Sequence, residues 1–332
     1  MWKSNQTCVT EIVFLGFSDF QALQVLLFVV VFTFYMVALL GNSLIVIVTV
    51  TDRALCTPMY FFLRNLSFLE IGYTSVMIPK MLLNLLLETQ TISFAGCGAQ
   101  MCFFILFGIT ECCLLSVMAY DRYVAICHPL QYTLVMNQRV CIQMAAVSWS
   151  VGTLVAFGQT VSIFTLPFCG SNSISHFFCD ILPVLRLATT DTRKNEAAVA
   201  IVTVVFIFIP FLLILLSYIL ILFTILRMPS AEGRRKAFST CSSHLIVVSL
   251  FYGTVTFTYV RPKSVYSLGS DRLLSLLYTV VTPMFNPIVY SLRNKEVRSA
   301  LRKSINRYSY LEIKVLHCER ENGTFWPLMN LK

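Results

Sequence analysis

Between Asp19 and Asp52 the chain carries no Asp, Glu, Lys or Arg, and Ala197 to Leu226, Ala237 to Val260 and Leu273 to Leu292 are equally bare. An apolar run of about 18 residues or more can cross the ~30 Å hydrocarbon core of a bilayer as a helix, with every backbone N–H and C=O satisfied inside the segment. Three less clean stretches complete the set. Thr57 to Leu87 carries Arg64, Glu70 and Lys80, Cys97 to Ala119 carries Glu111, and Val140 to Phe168 carries no charge. None of these runs alternates apolar and polar residues as the strands of a membrane barrel do. Composition agrees, because 57% of the 332 residues are hydrophobic and 12% charged, against about one quarter charged in a soluble domain. The expected fold is an all-α membrane protein, a seven-transmembrane helix bundle, with spans near 24–50, 57–87, 97–127, 140–167, 197–227, 237–260 and 272–292.

An odd number of spans puts the two ends on opposite sides, and an excess of Lys and Arg marks the cytoplasmic one. Arg53, Arg139, Arg227, Arg234, Arg235 and Lys236 fall in alternate loops, on the same side as a tail with Arg293, Lys295, Arg298, Arg302, Lys303 and Arg307. The opposite loops mix Arg186, Arg193, Lys194, Arg261, Lys263 and Arg272 with Glu88, Asp180, Asp191, Glu196 and Asp271. The N-terminus is therefore expected outside. Residues 1–23 form an extracellular N-terminus, 24–292 the bundle and 293–332 a cytoplasmic tail of a multi-pass cell-membrane protein. The net charge of +9 then points to anionic inner-leaflet lipid rather than to nucleic acid. The first twenty residues, with Glu11 and Asp19 among them, lack a basic start and a continuous apolar core. The first span is thus expected to act as its own insertion signal. Asn5-Gln6-Thr7 lies outside and reads as an N-glycosylation acceptor, whereas Asn65-Leu66-Ser67 falls within a span and Asn322-Gly323-Thr324 in the tail.

No phosphate loop, metal-ligand cluster or nucleophile with a positioned base supports an enzyme. His176-Phe177-Phe178-Cys179-Asp180 contains metal-ligand residue types, but a lone loop histidine is more often structural, and no metal site is expected. A channel or transporter needs a polar path or broken helices about a midplane site, and Glu70 and Glu111 alone do not make one.

The most specific stretch runs Met118-Ala119-Tyr120-Asp121-Arg122-Tyr123-Val124-Ala125-Ile126-Cys127-His128-Pro129-Leu130-Gln131-Tyr132. Asp121 and Arg122 are adjacent opposite charges at the cytoplasmic end of an apolar helix. The whole stretch resembles the signature of olfactory receptors within the rhodopsin-like G-protein-coupled receptors. Other segments agree in order: Pro58 to Ser67 opening the second span, Lys236 to Leu245 opening the sixth, Pro283 to Asn294 closing the seventh, with Gly41-Asn42 and Ser217-Tyr218. The resemblance covers roughly residues 8–308. The tail beyond Arg307 runs past the usual end of such chains, and no function is read from it.

The resemblance implies an odorant receptor that activates a stimulatory heterotrimeric G protein and raises cyclic AMP; a ligand-gated channel or transporter, or a related non-nasal chemosensory receptor, is the alternative. It also implies roles for particular residues. Arg122 is held by Asp121 at rest, with Tyr123 beside it. Tyr218 and Tyr290 rearrange around the pair, His244 near the inner end of the sixth span is a conformational hydrogen-bonding residue, and Asn286-Pro287 loosens the seventh helix, since a proline removes one backbone hydrogen bond. Glu70 and Glu111, with Asn42 and Asn286, resemble a polar pocket that holds an allosteric sodium ion. Protonated carboxyls that merely bond the helices together are the alternative. Cys97 and Cys179 are paired by the resemblance, on the oxidising side. Cys169 lacks its usual partner because Thr189 stands in that place, which leaves it a free thiol or a partner for Cys8.

Helical spacing gathers a ligand pocket outward of Glu111. Phe104, Ile105, Gly108 and Ile109 come from the third span, with Val202, Thr203 and Phe206 from the fifth. The sixth contributes Tyr252, Val255, Thr256 and Tyr259, and the seventh Tyr278 and Thr279. Phe104 stands where the similar amine receptors have an Asp, so a small, neutral, fairly hydrophobic ligand is expected. No other cofactor is expected.

Overall fold

The structure, a computed structural model, describes residues 9–16, 23–87, 90–259, 276–293, 297–300 and 302. The long helices are α1 (Gln24–Thr51), α2 (Pro58–Leu86), α3 (Phe94–Cys127), α4 (Gln138–Phe164), α5 (Arg193–Arg227), α6 (Ala231–Tyr259) and α7 (Thr282–Arg293). Among the described residues, six helices are long and apolar enough to cross a membrane, and Thr279–Val289 is a shorter apolar helix. Val25, Leu26 and Val50 of α1, Leu154 and Phe157 of α4, and Leu212 and Phe223 of α5 lie exposed. So much outward apolar surface is unfavourable in water and natural against lipid tails. Helix α3 is the axis of the bundle, touching α2, α4, α5 and α6, with Met101, Leu114, Leu115 and Met118 fully enclosed.

Helix ends follow capping chemistry more closely than apolar length. The Ser93 hydroxyl accepts from the Gly96 N–H (3.1 Å), and α3 begins at Phe94 rather than at Cys97. The Asn137 side chain likewise accepts from the Val140 N–H (3.1 Å), starting α4 at Gln138. Helix α5 extends one polar turn beyond its apolar run, where the Thr192 hydroxyl donates to Glu196 (2.9 Å).

Two helices widen in front of prolines. The turn Val204–Phe208 precedes Pro210 and the turn Leu277–Val281 precedes Pro283. A proline ring collides with the carbonyl four residues back, here residues 206 and 279, and a wider turn makes room for it. Inside α7, Pro287 lacks the N–H that would bond the Pro283 carbonyl. That oxygen instead accepts from Asn42 Nδ2 of α1 (3.3 Å), which also donates to Ala38 C=O (2.9 Å). Gly41 makes the approach possible: a Cβ there would sit 2.8 Å from the Pro287 ring.

A small sheet, which apolar periodicity did not foreshadow, crosses the N-terminal side of the bundle. Strand β1 (Glu11–Phe14) lies between β2 (Thr91–Ser93), antiparallel, and β3 (Ser173–Ile174), parallel. Ile12 and Phe14 point inward and are buried. At the same end Cys97 and Cys179 form a disulfide, with Cα atoms 5.5 Å apart. Phe177, Phe178 and Cys179 are buried there, so the outer loop plugs the bundle rather than covering it loosely.

Candidate functional site

Beneath that plug, about 890 Å³ of atom-free space, part of it open to solvent, lies between α3, α5, α6, α7 and the loop. Seven of the residues read from helical spacing line it: Phe104, Ile105, Gly108, Ile109, Val202, Thr203 and Val255. Gly108 faces open space, for a Cβ there would meet nothing within 4 Å. Phe206, Tyr252, Thr256 and Thr279 are not on this lining. Tyr252 is fully buried instead, stacked on Phe211 (5.2 Å) with its hydroxyl donating to the Cys112 carbonyl (3.4 Å). The side chains of Tyr259, Tyr278 and Tyr290 lie outside the described residues, as do Asn5, Cys8 and the tail from 303.

The lining also holds residues that the sequence reading did not select. Ile181 enters from the outer loop, Val199 and Ile207 from α5, Phe251 from α6, Gln159 from α4 and Tyr73 from α2. Glu70 and Glu111 belong to it too, which makes them the floor of the cavity rather than a separate deeper pocket. Asn286 Nδ2 donates to Glu70 Oε1, and the Glu111 carboxyl lies beside both Glu70 and Asn286. Asn42 Oδ1, Asn286 Oδ1 and Glu111 Oε1 are buried with no hydrogen-bond partner among the described residues. Buried carboxyl and amide oxygens without a donor, as on Glu111 and Asn286 beside Glu70, are the kind of donors a hard cation takes. Two carboxyls at such range need a cation or a shared proton between them.

The inner end of α3 carries the charge pair. Arg122 donates to Asp121 Oδ2 through Nε (3.0 Å) and a terminal nitrogen (2.5 Å), with Asp121 fully buried. Tyr132, in the short helical turn Tyr132–Val135, donates to the other oxygen, Asp121 Oδ1 (2.8 Å). Burial, and after it the Asp121 charge, raise the Tyr132 hydroxyl well above the usual phenol value. The group therefore stays a donor through the neutral range. Tyr132 was legible only as the last residue of the Asp-Arg-Tyr stretch, eleven positions away, and no spacing rule identifies it as a partner of Asp121. Across the bundle, the Tyr218 hydroxyl and His244 Nδ1 are 2.5 Å apart, joining α5 to α6, and Tyr123 meets His128 Nε2 at 3.2 Å.

Gln100 went unnoticed in the sequence. Its side chain accepts from the Cys179 N–H (3.0 Å) and donates to Val76 C=O (3.5 Å), tying the disulfide end of the loop to α2. Thr189 stands against the residues before Cys169: its N–H and hydroxyl both donate to Pro167 C=O at 3.0 Å. Asn65, the sequon residue within a span, bonds the Trp149 indole (3.2 Å) between α2 and α4, and the Leu66 and Ser67 that follow it are buried.

The architecture is similar to squid rhodopsin, whose crystal structure superposes with a TM-score of 0.66 over 93% of each chain at 16% identity; the likeness concerns the fold alone. Human Olfactory receptor 10C1 is 56% identical over 311 residues, 94% of this chain and 100% of its own. Human Olfactory receptor 10A4 is 58% identical over 308 residues, 92% and 98%, and mouse Olfactory receptor 10P22 is 53% identical over 308, 93% and 99%. The family model described as Olfactory receptor matches residues 31–307. The chain is a multi-pass membrane protein belonging to the olfactory receptor family.

Proposed function

We propose that the chain is an odorant receptor that binds a small, neutral, mainly apolar molecule and activates a stimulatory heterotrimeric G protein, raising cyclic AMP. One observation carries the reading: a single helix, α3, lines the cavity with Phe104, Ile105, Gly108 and Ile109 at one end and holds the Asp121–Arg122 pair at the other. A ligand that prefers one arrangement of the bundle shifts the population toward it, and α3 connects cavity to charge pair. The lining is overwhelmingly apolar, with Thr203, Gln159 and the carboxyl floor available to one or two hydrogen-bonding groups. Family membership, rather than any missing residue, sets an enzymatic role aside.

The test is a ligand screen in cells carrying a cyclic-AMP reporter, followed by Gly108→Leu. Because Gly108 faces the cavity and touches nothing, the added side chain fills ligand space without parting helices. Agonist potency should fall by about a hundredfold, on the scale of about 0.8 kcal/mol for each of four ligand carbons displaced from the cavity, at unchanged surface expression. An agonist response indifferent to this substitution places the ligand elsewhere.

A sodium ion held by Glu70, Glu111, Asn42 and Asn286 fits the unsatisfied oxygens, and would supply positive charge between the two carboxyls. Replacing sodium by N-methylglucamine should then change basal signalling; a sodium-insensitive resting state points to a proton shared by Glu70 and Glu111. The basic loops with Arg139, Arg227, Arg234 and Arg235 match anionic lipid on the cytoplasmic face.

A further inference from the structure

We propose that Glu111 anchors the polar end of the ligand and that the ligand class is the aliphatic primary alcohols, the hydroxyl donating to Glu111 Oε1 while the chain runs outward along α3. The proposal rests on the reading of the cavity as the ligand site and names the chemistry that site selects. Glu111 belongs to the cavity lining and is 5% exposed. Its Oε1 is buried with no hydrogen-bond partner among the described residues, and so is Asn286 Oδ1 beside it. The rest of the Glu111 carboxyl is engaged by Glu70 and Asn286. One acceptor oxygen is thus left over at the end of an apolar chamber.

The chamber has a shape that suits a chain with one polar tip. Phe104, Gly108 and Glu111 stand at positions i, i+4 and i+7 of α3, in a row on one face. All three line the cavity, and the row is about 10 Å long at 1.5 Å per residue. Midway along it Gly108 has no side chain, and a Cβ there would meet nothing within 4 Å. Ile105, Ile109, Val202, Ile207 and Val255 wall the row with hydrocarbon. Beyond Glu111 the bundle closes, since Leu114, Leu115 and Met118 are fully enclosed. A molecule that fills this space is elongate, apolar along its length and able to hydrogen-bond at its inner end.

The leftover oxygen decides which hydrogen-bonding group that is. A ligand that expels water from the floor without supplying a donor leaves a buried acceptor dry, which is costly. A hydroxyl supplies the donor, whereas an ether oxygen of the same size carries no hydrogen to give. Such a site rejects the analogue lacking the donor far more strongly than hydrocarbon walls reject one methylene more or less. An ammonium group would also donate, but its charge would have to be desolvated between apolar walls. A hydroxyl and a cation at Glu111 draw on the same oxygen and exclude one another.

Straight-chain primary alcohols from n-butanol to n-decanol, each beside its isomeric methyl ether (n-octanol beside methyl heptyl ether), provide the test in cells carrying the cyclic-AMP reporter. Formula and size are equal within a pair, so the potency ratio isolates the donor. The wild-type receptor should prefer at least one alcohol to its ether by about tenfold or more, and Glu111→Met should bring that ratio to about one. Both members of a pair meet the same resting equilibrium, so any change in basal activity cancels in the ratio. Glu111→Gln keeps an uncharged acceptor and should retain part of the preference; it supplies the reading if the Met variant fails to reach the surface. Equal potency of alcohols and ethers on the wild type, no response to any alcohol, or a preference unchanged by either substitution overturns the proposal. Gly108→Leu separates this outcome from failure of the cavity reading. An alcohol response weakened by Gly108→Leu, with a ratio indifferent to Glu111, keeps the ligand in the cavity and removes only its anchor. A response indifferent to both positions removes both.

Discussion

At the scale of single residues, the inner end of α3 and the seam between α1 and α7 carry the sharpest consequences. Arg122 is bound twice by a fully buried carboxylate, and a guanidinium in that setting is held in place until something displaces it. Arg122→Ala should abolish agonist-driven cyclic AMP while surface expression, measured by antibody to an N-terminal tag, stays normal. Unchanged signalling would remove the pair from the switch. Asn42 has a different task. It bonds the carbonyl that Pro287 leaves without a donor, and a buried unsatisfied carbonyl costs about 1–3 kcal/mol. Asn42→Leu should therefore lower the melting temperature of purified receptor, and a melt identical to wild type would show that the bond contributes nothing. The sequence marks Asn42, Pro287 and Arg122 as residues to watch, through their motifs. It does not reveal that the first supplies the hydrogen bond the second lacks, because helical spacing relates residues along one helix and these two lie on different ones.

At the scale of elements, close helix approach is set by what is missing from a side chain. A Cβ on Gly152 of α4 would lie 2.1 Å from the Thr110 hydroxyl and 2.8 Å from the Leu106 carbonyl of α3. The second atom is backbone and cannot swing aside. Gly152→Val should force α4 off α3 and destabilise the bundle by about 1–3 kcal/mol, read as a several-fold loss of mature receptor at the surface. Gly158, which meets nothing within 4 Å, is the control: Gly158→Val should express as wild type. The wide turns before Pro210 and Pro283 belong to this scale as well. Prolines are visible in the sequence, but whether a helix kinks, breaks or widens around one depends on neighbours that take up the freed carbonyls.

At the scale of the whole molecule, the outer end is one unit of strand, loop and disulfide closing over the cavity. The Cys97–Cys179 bond joins residues separated by 82 positions, and loss of such a link typically costs about 2–5 kcal/mol. Cys179→Ser should leave little receptor at the surface, and what remains should show weakened agonist potency, because Phe178 packs on Phe104 beside the cavity (5.4 Å). Equal potency at matched surface levels would mean the loop does not shape the ligand site.

Apolar length and charge asymmetry suffice to predict membrane-spanning helices and which end faces the cytoplasm, because burial in hydrocarbon acts on each segment by itself and needs no partner. The Asp121–Arg122 stretch is legible in the same local way, through motif, whereas the pairing of Cys97 with Cys179, 82 positions apart, was implied only by the family resemblance. Helical spacing also finds seven residues of the cavity lining, since it ranks positions by face and depth. Only the tertiary structure makes Glu70 and Glu111 the floor of that cavity, seals Tyr252 away from it, and brings Tyr132 to Asp121 and Asn42 to Pro283. The N-terminal strand is the plainest case: its four residues acquire a conformation only by hydrogen-bonding two segments distant in sequence, and no local pattern encodes a partner.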